Sequence, residues 1–126
     1  MKTWFLKFAS NKTPDDIFNF VVSGQKTIET RPVNPKDHPN YTEVQVGDKL
    51  LFHSLDSSRE IEKTVTFVHI YKSVQDMVSS EPIEKILPSI KTPQELLDIY
   101  EQVKQKWGAE YAKNLETHGI VAIGFN

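Results

Sequence analysis

SGQKTIETRP, residues 23–32, decides the fold because it contains the end of a predicted helix and the predicted strand that follows it. Upstream of it, Thr13 in the N-cap position and Pro14 in the first helical position predict where a helix begins. Gly24 falls where a left-handed residue would end that helix. The following KTIETR is typical of a strand, and Pro32 limits its length.

Successive side chains of a strand point to opposite faces of the sheet. Thr27, Glu29 and Arg31 therefore share one face of the predicted strand. Ile28 and Thr30 share the other face, where Ile28 can anchor the strand to the core. The stretch thus predicts a strand with one polar face and one core face.

Lys26 lies between the helix and the strand, where its long side chain can reach either face. Together with Glu29 and Arg31 it can present an ammonium, a carboxylate and a guanidinium around one spot. Guanidinium groups bind carboxylates, phosphates and base edges as a planar fork, and carboxylates accept hydrogen bonds from the amino groups of cytosine or adenine. Lysine pairs with anions, or acts as a base when burial or a neighbouring cation lowers its pKa. The alternative is that the three charges are solvated and pair with one another, as mixed surface charges commonly do.

The remaining patterns predict the element order β-α-β-β-β-α-α-β, with a polar loop over residues 33–45. Helices that precede a closing strand fit a mixed, barrel-like α+β domain. Strands are predicted over residues 3–8, 61–71 and 120–125, and a turn at Gly47 and Asp48 is predicted to lead into a further strand that ends at residue 53. Helices are predicted over residues 73–80, 81–88 and 92–108, the last with Thr92 as its N-cap, with a further turn or two after residue 108.

Composition limits the classes of protein to consider. The 126 residues are the length of one domain, 1–126, and 38% of them are hydrophobic. The net charge of −2 argues against strong non-specific binding to a phosphate backbone. There is no cysteine, no long apolar run and no recognisable signal peptide, so we expect a soluble cytoplasmic protein without a membrane partner.

Three further residues are candidates for the ligand site, and one of them is Thr27, which shares a strand face with Glu29 and Arg31. Trp4 lies on a strand beside the predicted site and offers a ring on which a base can stack, and Lys7 offers a cation on the same strand. The four histidines are scattered without metal-site spacing, and no nucleotide-cofactor fingerprint is present. We therefore expect no metal and no cofactor.

Gly24, Lys26, Glu29 and Arg31 match the pattern G-x-K-x-x-E-x-R, and the chain thereby resembles the activating signal cointegrator homology (ASCH) domains. The resemblance covers nearly the whole chain, including VGDKLLFH, VHIYKSVQDM and HGIVAIGF. It implies a fold like that of the PUA domains, a mixed β-barrel with a cleft beside the first helix. It also implies that the motif residues line this cleft and bind RNA or a nucleotide-like or nucleoside-like ligand.

Some small bacterial ASCH proteins are amidohydrolases of 4-acetylcytidine, in which the motif lysine activates a threonine nucleophile. This chain has the lysine, Lys26, but Glu29 stands at the nucleophile position. Two alternatives therefore stand beside ligand binding. One is hydrolysis of an acylated nucleoside with Lys26 and Glu29 as the catalytic pair, and the other is a protein-interaction module that uses the helical region 73–116.

Overall fold

The computed structural model describes residues 1–7, 16–33, 40–54 and 58–126. The predicted helix start at Thr13 and Pro14 lies outside the described residues, as does most of the polar loop. The side chains of Lys7 and Trp107 also lie outside the description, although both residues belong to described elements.

In the described ranges, one five-stranded sheet curls into a half-barrel, and helices pack beside it. The strands are β1 (Thr3–Lys7), β2 (Ile28–Pro32), β3 (Lys49–His53), β4 (Glu60–Tyr71) and β5 (Ile120–Phe125). Their order across the sheet is β1-β3-β4-β5-β2. β1 runs parallel to β3, and the other neighbouring strands are antiparallel. The predicted mixed α+β, barrel-like class is confirmed at this level.

The helices are α1 (Asp16–Ser23), α2 (Val74–Ser80), α3 (Ile83–Ile86), α4 (Pro93–Trp107) and α5 (Ala109–His118), with a 3-10 turn at Tyr41–Glu43. The predicted cap at Thr92 is confirmed, since its hydroxyl accepts a hydrogen bond from the backbone of Glu95. The sequence predicted a further turn or two after residue 108, whereas the structure has a separate ten-residue helix there. Gly108 adopts a φ of 95°, so α4 ends at this residue and α5 begins after it. None of the helices in the described ranges has both the length and the apolar composition needed to cross a membrane.

Hydrophobic residues cover both faces of the sheet at β5, all six residues of which are buried. We call the cluster inside the half-barrel the barrel core; it includes Trp4, Leu6, Phe18, Phe52, Val121 and Ile123. We call the cluster beneath the later helices the helical core; it includes Ile28, Met77, Leu96, Tyr100, Leu115 and Ala122. A strand buried on both faces is expected to be apolar throughout, which explains the composition of β5.

Strand register confirms the predicted faces of β2. Glu29 pairs with Ile123 and Arg31 with Val121, so both charged residues point to the face of the barrel core. Thr30 pairs with Ala122 and therefore points to the helical core. The sequence predicted one core face for β2, whereas the structure packs hydrophobic residues against both, because α3, α4 and α5 close the outer side.

Candidate functional site

The turn between α1 and β2 brings the motif together. α1 ends at Ser23, and Gly24 follows with a φ of 81°, which is the left-handed conformation predicted for it. The backbone N–H of Lys26 then donates to the carbonyl of Phe20 at 3.0 Å. This contact folds the chain back on the helix end and directs Lys26 beneath the start of β2.

Lys26 is a buried ammonium, 4% exposed, whose partners belong to the protein. Its Nζ donates to the carbonyls of Ile28 and Ile86, each at 2.6 Å, and lies 3.6 Å from Oε1 of Glu29. Ile86 is the last residue of α3, where helix carbonyls lack intrahelical partners. Lys26 therefore ties the end of α3 to the edge of β2.

Motif side chains bind two backbone groups at the outer edge of β2. Contacts of Val33 with Gly119 and of Thr27 with Phe125 show that the odd-numbered backbone groups of this stretch face β5. The even-numbered groups face the edge, where unpaired backbone groups are a liability. There, Lys26 binds the carbonyl of Ile28, and the N–H of Thr30 donates to Oε1 of Glu29 at 2.9 Å.

Glu29 is the centre of the cluster and is 7% exposed. Its Oε2 lies 3.3 Å from Nη2 of Arg31, on the side away from Lys26. Burial opposes ionisation of Glu29, but the charges of Lys26 and Arg31 and the hydrogen bond from Thr30 outweigh it and lower the pKa of Glu29. Burial lowers the pKa of Lys26, and Arg31 adds to this, while Glu29 acts in the opposite direction.

Arg31 is the member of the cluster with the most exposed side chain, at 25%. Its guanidinium carbon lies 5.5 Å from the ring centroid of Tyr41, within the range of a cation–π contact. Sequence reasoning missed Tyr41. The sequence signal that could have found it is a single aromatic residue at the end of a polar, proline-containing segment.

Hydroxyl groups from the helical layer approach the other face of β2. The hydroxyls of Thr30 and Tyr100 form a hydrogen bond, as expected for a threonine that points to the helical core. Burial raises the pKa of Tyr100 strongly, and it also raises the pKa of Tyr111. Both tyrosines lie within electrostatic reach of Glu29 and Arg31, so α4 and α5 close one side of the cluster.

The other predicted site residues have different surroundings. Trp4 is 2% exposed, its indole N–H donates to Oδ2 of Asp48 at 3.0 Å, and its ring is covered by Lys2 and Tyr41. Because base stacking needs an accessible ring, we reassign Trp4 to the barrel core. Thr27 uses its backbone, which donates to the carbonyl of Lys85 at 3.0 Å, and the side chain of Lys7 lies outside the description.

A separate hollow of about 350 Å³ lies between α2, α4 and α5. Tyr100 lines this hollow and also forms the hydrogen bond with Thr30 on β2. The charged side chains at the rim of the hollow pair with one another, since Nζ of Lys104 lies 3.0 Å from Oε1 of Glu101 and 3.5 Å from Oε1 of Glu116. The motif cluster combines buried charge with an aromatic ring, so we consider it the better candidate for ligand chemistry.

Comparison with solved structures supports the fold. The hypothetical protein PH0355 superposes with a TM-score of 0.73 at 22% identity, covering 98% of this chain and 97% of that one. The protein PF0455 from Pyrococcus furiosus has a TM-score of 0.64 at 20% identity, with 98% and 96% coverage. No family model and no curated protein matches the chain. At these identities the two structures show a shared fold over nearly the whole length of each chain.

Proposed function

We propose that the chain binds a base-bearing ligand, namely an RNA segment, a nucleotide or a nucleoside, at the cluster of Glu29, Arg31 and Tyr41. The observation that carries the proposal is a buried carboxylate held 3.3 Å from a partly exposed guanidinium, with an aromatic ring beside it. A base edge offers donors and acceptors in one plane, and its ring stacks on aromatic groups.

Each residue has a distinct role in this proposal. Oε2 of Glu29 accepts a hydrogen bond from an exocyclic amino group, and Arg31 donates to an acceptor on the base edge or to an anionic group. Tyr41 packs against the ring of the ligand. Lys26 acts as a positioning residue, because its ammonium is directed at two carbonyls and at Oε1 of Glu29.

We further propose that the chain is an ASCH domain with a PUA-like fold. The spacing of Gly24, Lys26, Glu29 and Arg31 supports this proposal, as does their placement between a helix and the edge strand of a curled half-barrel. In this proposal Glu29 has a double role. It accepts the N–H of Thr30 at the edge of β2 and it forms part of the ligand site.

The electrostatics of the cluster favour binding over hydrolysis. A general base works best when its pKa lies near the working pH, whereas the neighbours of Glu29 lower its pKa from an already acidic value. Thr30 points away from Glu29 to the hydroxyl of Tyr100. The pKa of Lys26 is lowered, as a lysine base requires, but its Nζ already donates to the carbonyls of Ile28 and Ile86. Hydrolysis of an acylated nucleoside by Lys26 and Glu29 is therefore the less favoured alternative.

The helical surface offers little support for the protein-interaction alternative. Among the described side chains of residues 73–116, large hydrophobic groups are buried or half-buried, and the exterior is polar and charged. Surfaces that bind proteins through apolar contacts usually expose a contiguous apolar patch.

Calorimetric titration with cytidine, cytidine 5′-monophosphate and a short single-stranded RNA tests the proposal. Arg31→Gln should weaken binding at least tenfold, because hydrogen bonds to charged groups contribute about 1.5–3 kcal/mol. Arg59→Gln is the matched control, since Arg59 is the other arginine of the chain. Absence of binding by the wild-type protein, or equal affinity of the two variants, would contradict the proposal.

A further inference from the structure

The hollow between α2, α4 and α5 has an apolar floor. Val74, Leu97 and Leu115 line it, together with the ring of Tyr100. Leu115 is buried, whereas Val74 and Leu97 are only half-buried, so part of this apolar surface is open to the hollow. The volume of about 350 Å³ is that of a small-molecule site, since such pockets usually measure about 300–1,000 Å³.

One face of α4 supplies most of the polar rim above this floor. Gln94, Asp98, Glu101 and Lys104 follow one another at intervals of three or four residues, and all four line the hollow. Residues at this spacing are neighbours on the surface of a helix. Glu116 of α5 adds a further carboxylate. The rim therefore concentrates charged side chains beside an apolar surface.

The titratable side chains make the hollow negative. Among its described lining residues, Asp98, Glu101 and Glu116 are acidic and Lys104 is the one base, so three negative charges and one positive charge leave −2. Tyr100 adds no charge, because burial raises the pKa of its hydroxyl. A charged ligand that complements this rim is a cation.

The side chain of Lys104 shows which kind of cation the rim fits. Its Nζ lies 3.0 Å from Oε1 of Glu101 and 3.5 Å from Oε1 of Glu116, and the side chain is 17% exposed. The hydrogen bond with Glu101 is the main cause that raises the pKa of Lys104 and favours its protonated form. An aliphatic chain that ends in an ammonium group therefore already lies at the hollow, with its head between two carboxylates.

Asp98 provides acceptor capacity that Lys104 does not use. Oδ1 of Asp98 accepts a hydrogen bond from Nε2 of Gln94 at 2.9 Å, which orients the carboxylate. Within the described part of the chain, Oδ2 of Asp98 has no partner. Asp98 and Glu101 lie three residues apart on one helix face, so a second ammonium group can contact both.

We propose that the hollow is a second binding site, which takes a small aliphatic amine in its ammonium form. The ammonium group donates to the carboxylates of Asp98 and Glu101. The hydrocarbon part of the amine covers the open apolar surface of Leu97 and Val74. The site differs from the cluster at β2 in both place and chemistry, so it does not depend on the proposed function.

Butylamine tests the site because it is the lysine side chain as a free molecule. In methyl-resolved NMR titrations at neutral pH and constant ionic strength, butylamine should shift the Leu97 and Val74 resonances with a dissociation constant on the order of 1 mM. Butanol lacks the charge and the ammonium ion lacks the chain, so each should bind roughly tenfold more weakly. The methyl groups of Leu50, which is fully buried in the barrel core, should not shift. Equal affinity for butylamine and butanol, or no shift at about 20 mM butylamine, would overturn the proposal.

Asp98→Asn removes one negative charge and keeps an acceptor for Gln94. It should weaken butylamine binding about threefold, the effect of an exposed ion pair. Glu84→Gln is the matched control, since Glu84 is an exposed acid of α3 outside the hollow, and it should bind as the wild type does. Unchanged affinity in Asp98→Asn would contradict the assigned contact.

Lys104→Ala should have the opposite effect. Without the internal ammonium, Glu101 and Glu116 are available to the ligand, and butylamine should bind about threefold more tightly. Lys106→Ala, at an exposed lysine of the same helix, should leave the affinity unchanged. Weaker binding by Lys104→Ala than by Lys106→Ala would refute the amine site, and thermal unfolding of each variant shows that the fold is retained.

Discussion

Asp48 and Glu29 are both buried carboxylates, but their surroundings stabilise the negative charge in different ways. Asp48 accepts three N–H groups, from the indole of Trp4 at 3.0 Å and from the backbones of Gln45 at 3.0 Å and Lys2 at 3.1 Å. Glu29 accepts one backbone N–H and lies beside two cationic side chains. The hydrogen bond from Trp4 is the main cause that lowers the pKa of Asp48, whereas for Glu29 neighbouring charges overcome the effect of burial.

The difference separates a structural acid from a candidate binding acid. The neutral N–H groups aimed at Asp48 belong to the backbones of Lys2 and Gln45 and to the buried indole of Trp4. The cation beside Oε2 of Glu29 is a partly exposed side chain that can donate to a ligand at the same time. Fixed backbone donors complete a fold, and side-chain charges at its rim can serve recognition.

The largest expected effect is on Lys26. Lys26→Met should lower the free energy of unfolding by about 3–5 kcal/mol, because removing one partner from a buried ionic cluster leaves the other buried and two carbonyls without their donor. Urea denaturation measures this value. Lys91→Met, at an exposed lysine, is the control. A loss below about 1 kcal/mol would mean that Lys26 does not hold α3 to β2.

Asp48→Ala should cost somewhat less, about 2–3 kcal/mol, since it leaves the buried indole N–H of Trp4 without an acceptor. Ligand affinity measured by calorimetry at a temperature where the variant is folded should equal that of the wild type. The exposed Glu62→Ala is the stability control. Weaker ligand binding by the folded Asp48→Ala variant would contradict the assignment of Asp48 as a purely structural acid.

Lowering the pH should decrease the free energy of unfolding through both carboxylates. Because the pKa of each is lower in the folded state than in the unfolded chain, their stabilising effect is complete above about pH 5 and is lost as the pH falls through the folded pKa. Urea denaturation from pH 6 to pH 2.5 should therefore show falling stability below about pH 4. Glu29→Gln and Asp48→Asn should each make this decline shallower, and a variant with an unchanged decline would show that its carboxylate has no lowered pKa.

The smallest expected effect concerns the neutral hydroxyl pair on the opposite face of β2. Tyr100→Phe should cost about 0.5–1.5 kcal/mol, the usual net contribution of a neutral hydrogen bond. A double-mutant cycle with Thr30→Val isolates the pair, and the coupling energy should account for most of the single-variant loss. A coupling near zero would mean that the two hydroxyls do not stabilise each other.

Several features of the fold could be predicted because they depend on residues within four positions of one another. They are the left-handed Gly24, the alternation of Glu29 and Thr30 between the faces of β2, and the cap of α4 at Thr92. Such patterns reflect backbone geometry that the local chain itself determines.

Long-range contacts explain what the sequence did not reveal. Lys26 contacts the carbonyl of Ile86 across 60 positions of sequence, and no local pattern predicts such a contact. Tyr41 reaches Arg31 after a polar segment with no periodicity to predict its direction. Trp4 was predicted to face the site, but its partner Asp48 lies 44 positions away and draws the ring into the barrel core.

We propose that the base-bearing ligand binds at β2, and neither at the Asp48 turn nor in the helical hollow. A backbone amide NMR titration with cytidine 5′-monophosphate tests it most directly. Chemical-shift changes should be concentrated at residues 28–31 and at Tyr41, while residues 45–49 and 94–98 stay unchanged. Changes that centre on residues 94–98, or no changes at saturating ligand, would contradict a ligand site at β2.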